Sequence, residues 1–114
     1  MAVYDEQIES RTRKAINVVS GFTPVVCVYV FGSQTDGTAN EWSDLDVAVF
    51  AEGLESKDLH DRARIAAQVQ REAGDDVEIH FFPASSYKNP PRASFAEYVL
   101  QHGVRLPINE VEPK

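Results

Sequence analysis

The sequence predicts an α/β (α+β) domain, a small mixed β-sheet with helices packed against one face, on three observations. Runs rich in β-branched and aromatic residues at Val25 to Phe31 (VVCVYVF), Asp44 to Phe50 (DLDVAVF) and Val77 to Phe82 (VEIHFF) read as strands. Segments with helical apolar spacing stand before, between and after them, giving the order helix, strand, strand, helix, strand, helix. Stretches holding Gly, Pro, Asn and Asp separate these elements, with no repeat or low-complexity tract. At 114 residues the chain is expected to form a single domain over residues 1–114.

From about Tyr4 to Ser20, the residues Tyr4, Ile8, Ala15, Ile16 and Val19 share a stripe with charges elsewhere. That spacing predicts an amphipathic helix, with Gly21 as its stop signal. The first strand follows, and Gly32 ends it where backbone can approach a ligand closely. Gln34 to Ser43 holds Thr, Asp, Gly and Asn and reads as a loop. In the second strand, side chains two apart share a face, so Asp44 and Asp46 project together, opposite Leu45, Val47 and Val49.

Ser56 is placed to cap a second helix running to about Ala73, with Asp58 near its positive end and Gly74 after its last turn. Leu59, Ala63, Ala66 and Ala67 supply one side of that helix, and Ile65 and Val69 broaden the apolar face. The third strand alternates, with Val77, Ile79 and Phe81 on one face and Glu78, His80 and Phe82 on the other. Pro83 ends it, and Pro90-Pro91 marks a loop. Ser94-Phe95-Ala96-Glu97 fits a capping box, which predicts a last helix from Phe95 to His102 with Gly103 after it. A short edge segment at Val104 to Leu106 follows.

Eleven basic against eighteen acidic residues give a net charge of −7. Such a balance argues against binding duplex nucleic acid, which needs a basic face to displace counterions. No apolar run approaches the ~20 residues needed to cross a bilayer, and MAVYDEQIESR lacks a signal-peptide pattern, so the expected location is cytoplasmic. The single cysteine, Cys27, lies within the first strand and reads as a buried structural thiol rather than a nucleophile.

The chemistry concentrates in Phe31-Gly32-Ser33 and, after a ten-residue spacer, Asp44-Leu45-Asp46. Gly32 lacks a Cβ, so phosphate oxygens can reach the local amides, while the Ser33 hydroxyl can donate another hydrogen bond. Two carboxylates side by side repel unless cations sit between them. Hard oxygen ligands suit Mg²⁺, and a pair of such ions clamps the attacking and leaving oxygens of a phosphoryl centre. This joint pattern of strand, Gly-Ser, spacer and acidic strand resembles the DNA polymerase β-like nucleotidyltransferase superfamily, and the resemblance extends over nearly the whole chain.

The resemblance implies a Mg²⁺-dependent enzyme with two ions, transferring a nucleoside monophosphate, AMP from ATP, to a hydroxyl acceptor. It assigns Asp44 and Asp46 to the metals, and Gly32 and Ser33 to the nucleoside triphosphate. Its third carboxylate maps onto Glu78, as metal ligand or as base for the acceptor hydroxyl, where relatives usually have aspartate. Asp75 and Asp76 read instead as a solvated turn. Many relatives also carry a basic residue soon after Gly-Ser, whereas this chain has Gln34-Thr35-Asp36. Balancing charge then falls to the metals or to one of Lys57, Arg62, Arg64, Lys88, Arg92 and Arg105.

His80 shares the Glu78 face, from which it can touch the site, while the favoured reading tucks it among Phe82 and helix side chains. Trp42 is either a stacking surface for a base or a loop anchor. Chains of this size resemble minimal nucleotidyltransferases paired with a separate HEPN-type helical protein, in some cases as the antitoxin that modifies its toxin. Homo-oligomerisation is left open. Two other readings stand beside this one, a non-catalytic nucleotide-binding subunit and a small-molecule, antibiotic-modifying nucleotidyltransferase.

Overall fold

A computed structural model describes residues 6–31 and 45–107. Its sheet has the order β3-β2-β1-β4, built from β1 (Val25–Phe31), β2 (Leu45–Ala51), β3 (Val77–Pro83) and β4 (Val104–Leu106). β1 runs antiparallel to both β2 and β4, while β2 and β3 are parallel. The parallel pair requires a crossover, which α2 (Leu59–Ala73) supplies. With α1 (Glu6–Ser20), α3 (Ala84–Lys88) and α4 (Phe95–His102), these elements make the mixed α+β sandwich that the sequence predicts.

The two long helices, α1 and α2, share one face of the sheet. There Ile8, Ala15, Ile16 and Val19 of α1 and Ile65 and Val69 of α2 meet Val28, Val30, Leu45, Val47, Val49 and Val77 of the strands. Each fully buried Val or Leu contributes roughly 1.5–3 kcal/mol relative to exposure, so this layer is the main source of cohesion. Thr12 completes the α1 stripe although it is polar, because its hydroxyl donates to the Ile8 carbonyl at 2.7 Å and leaves only the methyl to pack. The predicted start of α1 at Tyr4 lies outside the described residues.

The opposite face is apolar too, and two short helices cover it. Cys27, Phe31, Ala48 and Phe50 pack there against Ala96 and Val99 of α4, with Tyr29, Phe82, Tyr87 and Leu100 around them. The expectation of helices on one face thus describes α1 and α2, while α3 and α4 form a second, thinner layer. A strand as apolar as VVCVYVF buries both its faces.

Local signals decide the element ends. Ser56 does not cap α2; its hydroxyl donates to the Gly53 carbonyl at 2.8 Å and closes a 3₁₀ turn over Leu54–Ser56. Asp58 is the cap. Its carboxylate accepts from the Asp61 amide at 2.8 Å, and the Asp61 carboxylate accepts from the Asp58 amide at 3.3 Å. Ile65, Val69 and Ala73 face the core, while Leu59 is 85% exposed and Ala63 and Ala67 look outward, contrary to the alanine-led face expected from sequence. In α4 the Ser94 hydroxyl accepts from the Glu97 amide as predicted, but the Glu97 carboxylate reaches back to the Ala93 amide instead of Ser94.

The crossover closes through a turn that only glycine fits. Gly74 has φ +133°, and a Cβ there would lie 2.7 Å from Arg11 Nη2 and 3.0 Å from Asp76 Oδ1. Those two groups form an ion pair, and Arg11 Nε also donates to the Ala73 carbonyl at 3.1 Å, pinning α1 to the entry of β3. Asp76 is therefore engaged structurally, in keeping with its reading as a turn residue. Gly103 serves the far edge, where a Cβ would stand 2.8 Å from the Val99 carbonyl oxygen.

Gly74→Ala is expected to lower stability by ~1–3 kcal/mol, through backbone strain and displacement of the Arg11–Asp76 pair. Urea denaturation measures this, and an unchanged midpoint contradicts it. Cys27 is buried, and burial pushes its thiol up from 9.0 to about 11, partly offset by the charge of Arg105. The protonated thiol is thus favoured in the folded state, and its contribution is complete below pH 9 and is lost as pH rises from 9 toward 11. Native protein should leave Cys27 unmodified by a thiol reagent at pH 8, and Cys27→Ala should flatten the alkaline loss of stability.

Candidate functional site

Strand register builds the site. Phe31 of β1 lies opposite Asp46 of β2, and Asp46 lies beside Glu78 of β3. One step further along, Ala48 lies beside His80. All of these residues stand on the α3–α4 face, at the end of the sheet where β1 finishes and β2 and β3 begin. Ala48 presents only a methyl group, which leaves the neighbouring imidazole room to lean toward Asp46. His80 Nε2 stands 3.1 Å from Asp46 Oδ1.

One oxygen each from Asp46 and Glu78, with one ring nitrogen of His80, lie within 4.8 Å of one another. Asp46 and His80 are half-buried and Glu78 is exposed, so the cluster opens to solvent at one side. Two carboxylates and an imidazole this close form a donor set able to hold a divalent ion. Aromatic rings fix the histidine. Its centroid is 5.1 Å from Phe31 and 5.7 Å from Phe95, the latter edge-on at 86°. Phe95 also meets Phe31 and Phe82 at 5.5 and 5.6 Å, yet stays 48% exposed, forming an aromatic rim beside the carboxylates.

Of the sequence-predicted site residues, Asp46 and Glu78 come together here. Gly32, Ser33 and Asp44 lie outside the described residues, as do Gln34 and Trp42. Both parts of the His80 alternative are realised, since the ring packs among aromatic side chains and also touches Asp46. Strand alternation put His80 on the Glu78 face. What sequence could not supply was the β2–β3 register, which brings residue 80 within one step of Asp46. Nothing in the sequence marked Phe95 as a rim residue, because an apolar residue at a helix start usually faces the core.

The basic residues divide between the two faces. Arg62 is committed to its own loop, donating to the Lys57 carbonyl at 3.1 Å and the Leu54 carbonyl at 2.9 Å. Lys57 and Arg64 line a shallow groove with Phe22 on the α2 side, away from the carboxylates. Arg105 pairs with Tyr29 across β4 and β1. It donates to the Tyr87 hydroxyl at 3.0 Å and lies over that ring at 5.5 Å, on the same face of the sheet as Asp46. Burial raises the Tyr29 hydroxyl, with the neighbouring Cys27 and Tyr87 adding to it and Arg105 opposing.

Comparison with known proteins agrees with this architecture. Residues 13–107 match the family described as polymerase β nucleotidyltransferase, and the chain belongs to that family. It is thereby a transferase of the nucleotidyltransferase class. A crystal structure of a protein from Sulfolobus solfataricus, provisionally assigned as a nucleotidyltransferase, shares the fold. It superposes with a TM-score of 0.51 at 22% identity, over 75% of this chain and 80% of that one. A search of curated proteins finds no match.

Removing one of two adjacent carboxylates relieves their repulsion, and residues placed for function are commonly held at a cost in stability. Glu78→Gln is therefore expected to melt at the same temperature as the wild type or higher without metal, while divalent ions are expected to raise the melting temperature of the wild type and not of the variant. A variant that unfolds, or one that keeps the full metal-induced rise, contradicts the assignment of Glu78 to the cluster.

Proposed function

We propose that this chain is a Mg²⁺-dependent nucleotidyltransferase that moves AMP from ATP to a hydroxyl on a separate protein. The observation that carries the reading is the convergence of Asp46 and Glu78 at one end of the sheet in a chain of the polymerase β family. In the proposed reaction the acceptor oxygen bonds to the α-phosphorus, the bond from that phosphorus to the bridging oxygen breaks, and pyrophosphate leaves. Bound divalent ions supply charge neutralisation at the phosphoryl oxygens.

Asp46, with Asp44, holds the ions. Glu78 either completes that set or takes the acceptor proton, and its exposure fits a group that meets an incoming substrate. Gly32 and Ser33 seat the triphosphate. Arg105 stands on the same face as the carboxylates, and Lys88, at the end of α3, and Arg92, just before α4, belong to the layer covering that face; these three are the candidates to offset charge there, in place of the basic residue that relatives carry after Gly-Ser. The exposed carboxylate and open sheet end support an acceptor carried by another chain, and the resemblance to minimal nucleotidyltransferases suggests a HEPN-type partner, with this chain as its antitoxin. Among the described residues no helix is long and apolar enough to cross a membrane.

A second reading rests on the residues that depart from the family pattern, Glu78 and Gln34. They fit a subunit that binds nucleotide without turning it over. Intact-mass analysis separates the two. Mixed with its partner, ATP and Mg²⁺, the chain should add one AMP to the partner and release pyrophosphate, and Asp44→Asn or Asp46→Asn should abolish both. Nucleotide binding without pyrophosphate release establishes the non-catalytic reading. Transfer to a free small molecule with no protein labelled contradicts a protein acceptor and favours the antibiotic-modifying reading.

A further inference from the structure

One donor in the cluster is a nitrogen. Its position suits ligation as well as hydrogen bonding: with bonds of about 2.1 Å, adjacent donors lie about 3.0 Å apart in an octahedral site and about 3.4 Å apart in a tetrahedral one. Nε2 of His80 is 3.1 Å from Asp46 Oδ1. All three donor atoms lie within 4.8 Å of one another.

The ring is also held before any ion arrives. Phe31 and Phe95 contact it at 5.1 and 5.7 Å, which restricts the orientations that would swing Nε2 away. Among the described residues this is the one grouping of three such side chains close enough to share an ion. Of the other two histidines, His60 is exposed on α2, and His102 directs Nδ1 to the Tyr98 carbonyl oxygen at 3.0 Å.

We infer that His80 is a direct metal ligand that joins Asp46 and Glu78, and that its nitrogen strengthens the site's hold on a first-row transition ion, with Zn²⁺ as the probe, more than its hold on Mg²⁺. The inference deepens the proposed function by adding a ligand to its metal site, and it rests on that reading only in placing metal at Asp46. Its chemical ground is that imidazole suits borderline ions such as Zn²⁺, whereas Mg²⁺ demands oxygen donors and keeps much of its water.

The test is nitrogen-detected NMR of the wild-type imidazoles during titration with Zn²⁺ and, separately, Mg²⁺, alongside calorimetric affinities for wild type and His80→Gln. Glutamine keeps a donor directed at Asp46 and removes the imidazole nitrogen. The expected result is a large shift of His80 Nε2 with Zn²⁺, and at least ~10-fold weaker Zn²⁺ binding in His80→Gln with a clearly smaller change for Mg²⁺. An unmoved Nε2 signal, or equal loss of both ions, overturns the inference and leaves His80 as a residue that only orients Asp46.

The wild-type spectrum needs no variant to fold. Pyrophosphate release from the same preparation with each ion keeps the two readings apart. An unmoved Nε2 with intact Mg²⁺-dependent release sinks this inference alone, whereas a shifted Nε2 with no release under any ion keeps the metal site and removes the transfer reaction.

Discussion

The parallel register of β2 on β3 is the constraint on which the candidate site depends. It sets Asp46 beside Glu78 and Ala48 beside His80, so one alignment of two strands decides which charges meet. A slip of β3 by one residue would carry Glu78 and His80 to the opposite face, into the valine layer under α1 and α2. The buried valines therefore guard the site's geometry. Leu45, Val47, Val49 and Val77 can be buried only in the register that also aligns the polar residues.

That register is in turn held by the crossover. α2 starts at the reciprocal Asp58–Asp61 cap, packs Ile65 and Val69 on the sheet, and ends at Gly74, where the Arg11–Asp76 pair ties the turn to α1. The Leu45 amide then donates to the Asp76 carbonyl at 2.8 Å, starting the β2–β3 ladder next to the pinned residue. Asp46 is the following residue of β2. Cohesion and chemistry are separated by sheet face, with the larger aliphatic core on one side and a thinner aromatic layer around the carboxylates on the other.

Much of this was legible in the residues themselves. Period-two alternation located the strands, set Asp46 opposite Leu45 and Val47 in β2, and put Glu78 and His80 together on one face of β3, because the faces of a single strand follow from sequence position alone. The final helix was equally readable from Ser94 and Glu97. The start and buried face of α2 were not: Ser56 and Asp58 are both competent caps, and only the Asp58–Asp61 reciprocity decides between them. Three alanines also carry too little apolar surface to outweigh Ile65 and Val69. The helix α3 escaped because five residues, ASSYK, show no periodicity. The contact of His80 with Asp46 is long-range and appears only once β2 and β3 are paired.

The most direct measurement is a crystal structure of the protein with Mn²⁺ and a non-hydrolysable ATP analogue, with anomalous scattering recorded at the manganese edge. The account predicts an anomalous peak between the Asp46 and Glu78 carboxylates, with the triphosphate directed toward it from the end of β1. An ion bound elsewhere, or nucleotide bound on the α2 side near Phe22 and Arg64, would contradict it.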